Sequence, residues 1–157
     1  MDRNEVKEKL NFYMQKMAKN KNTMNALLDI KALDVDESIT HVEFEFEPKE
    51  WQYNEYGGIH GGIISTIFDY AMGLPLGCVG KGYPSTVEMS VSYVRAAIGK
   101  KFVIDVEITH VGRNLGSTVA KLFNEDKSRL CATSSATYTL LRELPKTAKL
   151  GNENGSE

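Results

Sequence analysis

The most apolar stretch of the chain, residues 57–80, reads GGIHGGIISTIFDYAMGLPLGCVG. The segment from about Gly61 to Leu76 predicts a helix that is apolar on nearly every face, and such a helix has to be enclosed by the rest of the protein. Within the stretch, His60 and Asp69 are the only side chains that carry charge at neutral pH. Because a carboxylate in apolar surroundings is costly without a partner, Asp69 is the first candidate for a catalytic residue.

The segments before this helix predict one more helix and one strand. Apolar residues recur at spacings of three and four over residues 3–20, which predicts an amphipathic helix, and a short helix or loop is expected over 23–31. The alternation of apolar and polar residues from His41 to Glu47 predicts a strand with one solvated face. Residues 48–60 then form a loop that leads into the apolar helix.

The segments after the helix predict a sheet that encloses it. A turn-rich segment, Gly77–Pro84, is expected to end the helix. Alternation then predicts four strands, and in the first of them Val87, Met89, Val91 and Tyr93 are expected on one side. The strands are Thr86–Ala96, Lys101–Val111, Leu115–Asn124 and Leu130–Leu141. The fold class is therefore α+β, with one five-stranded antiparallel sheet curled around the apolar helix.

Length and composition predict a single globular domain. The 157 residues suffice for one core, so we expect one domain over residues 1–144 and a polar, disordered tail over 145–157. The net charge of −2 provides no basic excess for binding nucleic acid. A glycine-rich apolar stretch with a central acid is a poor membrane span, so no membrane partner is expected.

The remaining composition predicts a cytoplasmic protein without cofactors. The charged start, MDRNEVKEKL, lacks the apolar core of a signal peptide. Cys78 and Cys131 do not form a CxxC pair, which fits a reducing compartment. The three histidines lack the spacing of metal ligands, so neither a metal nor a redox cofactor is expected.

The turn His60-Gly61-Gly62 lies where the apolar helix begins. Two glycines allow a ligand to approach the backbone closely, so Gly62 is a candidate substrate-binding residue. The unpaired N–H groups and the positive end of the helix dipole point at whatever binds there. This is a site for developing negative charge, where one donor is typically worth roughly 3–4 kcal/mol of barrier.

These residues resemble a known family. Asn54, Gly57, His60-Gly61-Gly62, Asp69 and the segment 86–89 are similar to the acyl-CoA thioesterases of the phenylacetate-degradation type, within the hotdog superfamily. The resemblance extends from about residue 44 to residue 141. It implies a hotdog fold and hydrolysis of an acyl-CoA to free acid and CoA. It further implies that the Gly61 N–H is the oxyanion donor and that His60 orients the turn or the substrate carbonyl.

Helix geometry separates Asp69 from the glycine turn. Nine residues of helix advance roughly 13 Å and rotate about 900°, which leaves Asp69 on the face opposite His60. Asp69 therefore cannot serve a thioester held at the glycine turn of its own chain. We expect at least a homodimer, or else a homotetramer, in which Asp69 meets Gly61 of the partner subunit across a two-fold axis. The family resemblance implies the same shared site.

The roles of the other candidate residues stay open at this point. Asp69 acts either as a general base toward water or as a nucleophile. Asn54 has a donor and an acceptor to position water or the carbonyl. The resemblance places Thr86 near the carboxylate, after a one-residue shift in the intervening turn. It also places a basic residue at Arg113, beside Asn114, where the CoA phosphates would bind.

Two other functions compete with hydrolysis. A non-catalytic acyl-CoA binding or sensing module would keep the groove and the glycine turn but would need no carboxylate at position 69. A hotdog hydratase or dehydratase would resemble enzymes that carry a paired Asp and His in a different motif, which this sequence does not contain. A GxSxG motif is also missing from the sequence, so the serine-hydrolase route to thioester cleavage is not expected.

Overall fold

The computed structural model describes residues 2–19, 22–38, 40–80 and 82–143. The tail predicted over 145–157 lies outside these residues. The helices are α1 (Arg3–Ala18), α2 (Met24–Leu28) and α3 (Gly61–Val79), with a short 3-10 helix at Glu50–Gln52. The strands are β1 (Lys31–Val35), β2 (His41–Phe46), β3 (Tyr83–Tyr93), β4 (Phe102–Val111), β5 (Leu115–Asn124) and β6 (Leu130–Leu141).

The strands form one curved antiparallel sheet in the order β1-β2-β4-β5-β6-β3. Alternate residues point into the hydrophobic core, as Val42, Phe44 and Phe46 do on β2. α3 contacts β3, β4, β5 and β6. The predicted α+β hotdog arrangement, a sheet wrapped around a central apolar helix, is confirmed.

The central helix is enclosed as its composition demands. The continuous run Ala71–Leu76 is buried, together with Ile64, Ile67 and Phe68. Within the described part of the chain, α3 is the single helix with the length and apolar composition of a membrane span. Its burial by the sheet instead identifies it as the core helix of the domain.

The number of strands differs from the expectation of five. The sixth strand is β1. The sequence predicted a short helix or loop over 23–31 and no strand before His41. This strand has only five residues and a bulge between Ala32 and Asp34, so its buried positions do not alternate. The alternation of buried and exposed residues, which reveals the other strands in the sequence, is therefore missing in β1.

The junction between α3 and β3 also differs from the prediction. α3 continues to Val79, so the turn expected from Gly77 is wrong, and β3 already begins at Tyr83. The Gly80 N–H makes the last helical bond, to the Leu76 carbonyl at 2.7 Å, and the extended backbone of Gly80, with φ −74° and ψ 162°, ends the helix. Packing of this last turn against the sheet outweighs the weak helix propensity of glycine.

A second bulge changes which face of β3 one residue occupies. It lies between Thr86 and Glu88. It leaves Val87 61% exposed, whereas Met89 and Val91 pack against the core. The expectation that Val87 shares their face is therefore wrong.

The enclosed helix predicts a large difference between two chemically identical substitutions. Phe68 on α3 is 0% exposed and Phe12 on α1 is 69% exposed. Phe68→Ala should lower the free energy of unfolding by about 3–5 kcal/mol because it leaves a cavity in the core. Phe12→Ala should change it by no more than about 0.5 kcal/mol. Urea unfolding measures both, and equal effects would contradict the enclosure of α3.

Candidate active site

Asp69 is half-buried on α3, where it faces β3. The hydroxyl of Thr86 donates a hydrogen bond to Asp69 Oδ1 at 2.6 Å. The second carboxylate oxygen, Oδ2, accepts no hydrogen bond from the described residues. One oxygen is thus fixed by the sheet and the other is left for a ligand or water. The structure brings together the two residues that the family resemblance placed near each other.

Tyr138 fixes the backbone at the same point of α3. Its hydroxyl donates to the Asp69 carbonyl at 3.0 Å, and the residue is 2% exposed. Burial raises the pKa of Tyr138 and the charge of Asp69 raises it further, so the phenol stays protonated and donates. The sequence analysis did not single out Tyr138. The one available signal was a tyrosine at an inward position of β6, among Ala136 and Leu140.

A cavity of about 360 Å³ opens beside Asp69 and Thr86. We call it the Asp69 cavity. Its volume lies in the range of small-molecule sites. Its walls come from α3, the start of β3, β6 and the two N-terminal helices, and they are mostly apolar or aromatic: Tyr13, Met24, Tyr70, Leu74, Tyr83 and Pro84. Burial, with the neighbouring Tyr13, raises the pKa of Tyr70 to about 12, so this wall carries no charge near neutral pH.

His60 caps the beginning of α3. Its Nδ1 accepts a hydrogen bond from the Gly62 N–H at 3.3 Å, and its own N–H donates to the Gln52 carbonyl at 2.9 Å. The His60 carbonyl accepts from Ile63 and Ile64. The Gly61 N–H has no acceptor among the described residues. The turn therefore offers one free donor at the positive end of a long helix.

A second recess, which we call the Gly61 cleft, has a volume of about 340 Å³. The Tyr93 hydroxyl donates to the Gly61 carbonyl at 3.0 Å and lies 2.6 Å from Ser65 Oγ. The ring lies so close that a Cβ at Gly61 would be 3.4 Å from it. The sequence predicted Tyr93 on the same side of β3 as Met89 and Val91. It did not predict a contact between Tyr93 and the glycine turn. Arg95 also lines the cleft.

Asn54 shapes the loop that leads to His60. Its Oδ1 accepts hydrogen bonds from the Tyr56 N–H at 3.0 Å and the Gly58 N–H at 3.1 Å. Gly57 has a positive φ of 80°, which favours glycine at this turn. Asn54 lines neither the Asp69 cavity nor the Gly61 cleft.

Arg113 and Asn114 lie in the turn between β4 and β5. Neither lines the Asp69 cavity or the Gly61 cleft. The Asn114 carbonyl accepts from the Leu140 N–H at 2.8 Å, which anchors this turn to β6. Within one chain these two candidates therefore lie apart from the other site residues.

The two halves of the candidate site lie at different recesses of one chain. No residue lines both the Asp69 cavity and the Gly61 cleft. Across the described ranges, no group of three or more His, Cys, Asp or Glu side chains is placed to bind a metal ion. Among the described residues, the site thus provides a carboxylate with one oxygen free of hydrogen bonds. At a separate recess it provides a helix N-terminus whose first N–H has no acceptor.

These features define a class of protein. Residues 56–131 match the sequence model of the thioesterase superfamily. The chain is 31% identical over 98 residues to acyl-coenzyme A thioesterase 13 from Mus musculus, which covers 61% of this chain and 70% of the mouse protein. The chain belongs to the thioesterase superfamily, and its enzyme class is thioester hydrolase.

Solved structures show the same fold. Zebrafish thioesterase superfamily member 2 superposes with a TM-score of 0.75 at 23% identity, covering 89% of this chain and 99% of the zebrafish chain. The protein smu.793 from Streptococcus mutans UA159, bound to acetyl CoA, superposes with a TM-score of 0.64 at 25% identity. That match covers 71% of this chain and 88% of the S. mutans chain. The similarity to hotdog thioesterases that the sequence indicated is confirmed.

The hydrogen bond from Tyr138 to the backbone of α3 predicts a stability difference. Tyr138→Phe removes only the hydroxyl and should lower the free energy of unfolding by about 1 kcal/mol, the usual net value of such a bond. Tyr56→Phe makes the same change at a residue that is 82% exposed and should have no measurable effect. If urea unfolding finds the two variants alike, Tyr138 does not support α3 in this way.

Proposed function

We propose that this enzyme hydrolyses acyl-CoA thioesters to a free acid and CoA. The observation that carries the proposal is the Thr86 hydrogen bond to Asp69 Oδ1 at the mouth of an apolar cavity, with Oδ2 left unbonded among the described residues. The name of the mouse relative and the acetyl CoA in the S. mutans structure support the substrate class. A non-catalytic binding module would have no use for this arrangement.

Asp69 performs the first step in one of two ways. As a general base, its Oδ2 takes a proton from a water whose oxygen attacks the thioester carbonyl carbon. As a nucleophile, the same oxygen attacks that carbon directly and forms a mixed anhydride, which water then hydrolyses. In both routes the C–S bond breaks and the CoA thiolate leaves and takes up a proton. Thr86 holds Oδ1 and so aims Oδ2 at the substrate.

The Gly61 N–H stabilises the oxyanion that forms on the thioester oxygen. It is a free donor in the first turn of a helix of 19 residues, where the dipole adds positive potential. His60 engages the neighbouring Gly62 N–H and so holds the turn in shape. The Gly62 N–H is thus already bonded to His60. We therefore propose that Gly62 contributes to substrate binding by shaping the turn.

The free edge of β3 explains how two chains complete one site. β3 lies at the end of the sheet, with β6 as its only partner among the described strands. Along α3, Thr86 contacts Asp69 and Tyr93 contacts Gly61, so the strand runs opposite to the helix. If two β3 strands pair antiparallel about a two-fold axis near Ser90, the Tyr93 end of one lies beside Thr86 of the other.

This pairing would bring Gly61 of the partner subunit to the mouth of the Asp69 cavity. It would also cover the row of unpaired backbone groups that an edge strand exposes. The result is a homodimer with two shared sites. A homotetramer built from two such dimers has the same sites.

The outer parts of the substrate bind at the rim. CoA carries phosphates, which favour cations. Arg95 lines the Gly61 cleft and is placed to take this role, although one of its nitrogens donates to the Leu130 carbonyl at 3.2 Å. Arg113 and Asn114 remain candidates for a phosphate reached from a second subunit. Asn54, whose Oδ1 is engaged by the loop, has only its amide donors free to orient water or the carbonyl.

Two further properties are proposed with the function. Cys78 and Cys131 are both unpaired, which fits a cytoplasmic location. The chemistry described needs no metal or cofactor.

Removal of the Asp69 carboxylate should abolish most turnover. Asp69→Ala should lower kcat with acyl-CoA substrates at least about a hundredfold, because both routes need this oxygen. Glu107→Ala removes an exposed carboxylate from β4 and serves as the control, with kcat unchanged. A thiol-trapping dye follows the release of CoA. Unchanged turnover in Asp69→Ala would exclude Asp69 from the mechanism.

The Gly61 N–H can be deleted with little disturbance of the helix. Proline is favoured at the first position of a helix, and His60 has the extended φ and ψ, −60° and 134°, that a following proline requires. Gly61→Pro should lower kcat about 10²–10³-fold. Gly61→Ala keeps the N–H while it crowds Tyr93 in a similar way, and so is the matched control.

Shared sites predict recovery of activity in mixed dimers. Asp69→Ala and Gly61→Pro chains, unfolded together and refolded in equal amounts, should regain about a quarter of wild-type activity, because half of the dimers then hold one intact site of two. Asp69→Ala mixed with Asp69→Asn has no intact site and should stay inactive. No gain over the parents in verified heterodimers would contradict the shared site.

A further inference from the structure

The two N-terminal helices form one wall of the Asp69 cavity. Tyr13 of α1 and Met24 of α2 line the cavity together with Tyr70 and Leu74 of α3. The family match begins at residue 56, so α1 and α2 precede the matched segment.

The wall is held firmly against the domain. Val6, Leu10 and Leu28 are buried in the hydrophobic core. The Asp2 side chain caps the start of α1 and the Thr23 hydroxyl accepts from the Ala26 N–H at the start of α2. A wall with these anchors has a defined position, so it can limit the size of what binds behind it.

The opposite side of the cavity follows α3 away from Asp69. Asp69, Gly73 and Gly77 are four residues apart and so lie in one line on the helix surface. All three border the cavity. From Thr66, which also borders it, to Gly77 the helix rises about 16 Å. The two glycines let the sheet pack closely on the helix, since a Cβ at Gly73 would lie 3.3 Å from the Tyr138 ring and one at Gly77 would lie 3.4 Å from Pro84. The cavity extends along this line of the helix, beginning at the carboxylate.

The lining and shape favour a flexible apolar chain over a small acyl group. Leu74, Pro84 and Met24 contribute hydrocarbon, and Tyr13, Tyr70 and Tyr83 contribute ring faces. We found no charged side chain among the described lining residues other than Asp69. Acetyl would leave most of the roughly 360 Å³ unfilled.

We propose that α1 and α2, through Tyr13 and Met24, set the length of the acyl chain that this enzyme accepts. The inference rests on the proposed acyl-CoA hydrolysis. The chain lies along α3 in the Asp69 cavity, with its thioester at Asp69. Tyr13 closes the cavity from the side of α1, and Met24, which is 48% exposed, borders its opening to solvent.

The test compares kcat/KM for straight-chain saturated acyl-CoAs from acetyl to dodecanoyl. For the wild type, kcat/KM should rise about fourfold for each methylene buried, and then level off when the cavity is full. Tyr13→Ala lengthens the cavity and should shift the plateau to longer chains. Met24→Trp narrows the opening and should shift it to shorter chains. Each variant should change the ratio of kcat/KM for dodecanoyl-CoA and hexanoyl-CoA at least tenfold.

The controls separate the possible outcomes. Phe12→Ala removes an exposed ring from the same helix outside the cavity and should keep the wild-type profile. Met24 is exposed enough that its substitution should not unfold the protein. If Tyr13→Ala is unstable, Met24→Trp alone therefore tests whether this wall sets the acyl-chain length. Wild-type ratios in the folded variants would overturn the role of this wall while leaving hydrolysis intact. A wild type that hydrolyses no acyl-CoA would instead overturn the proposed function, and this inference with it.

Discussion

The enclosure of a single apolar helix by the sheet is the constraint on which the rest of the structure depends. Because α3 is surrounded, its one carboxylate has few possible partners, and the sheet supplies them. Thr86 binds one oxygen of Asp69 and Tyr138 binds the backbone carbonyl of the same residue. The elements that bury the helix thus also fix the position and orientation of its acid. The same contacts therefore stabilise the fold and orient the proposed catalytic group.

The same helix separates the two halves of the proposed site within one chain. An α-helix presents its N-terminal donors at one end, whereas a side chain two turns later points elsewhere. The structure shows this separation as two recesses with no lining residue in common. Among the described strands, β3 pairs only with β6, and it runs past both recesses. In the proposed dimer, pairing of two β3 strands about a two-fold axis joins the complementary halves.

Regular patterns in the sequence were sufficient for the elements that position the site. The apolar run 61–76 and the four long strands after it were predicted from these patterns and are present in the structure. The hydrogen bond between Thr86 and Asp69 is present too, but the family resemblance, and not a regular pattern, indicated it. The failures occur where a bulge or tertiary packing overrides the local pattern. Bulges broke the alternation of β1 and turned Val87 outward. Tyr138 was missed because an inward tyrosine on a strand has the same sequence pattern as any core residue. Arg113 lies away from both recesses because of the order of the strands in the sheet. The spacing of residues along the chain does not reveal that order.

In the proposed dimer, a thioester is held between the helix N-terminus of one subunit and the Asp69 carboxylate of the other. A crystal structure of the protein with a non-hydrolysable acyl-CoA analogue tests this most directly. We expect the carbonyl oxygen of the analogue about 3 Å from the Gly61 nitrogen of one chain, and its carbonyl carbon facing Asp69 Oδ2 of the second chain. An analogue bound away from Asp69, or between Asp69 and Gly61 of the same chain, would exclude the shared site.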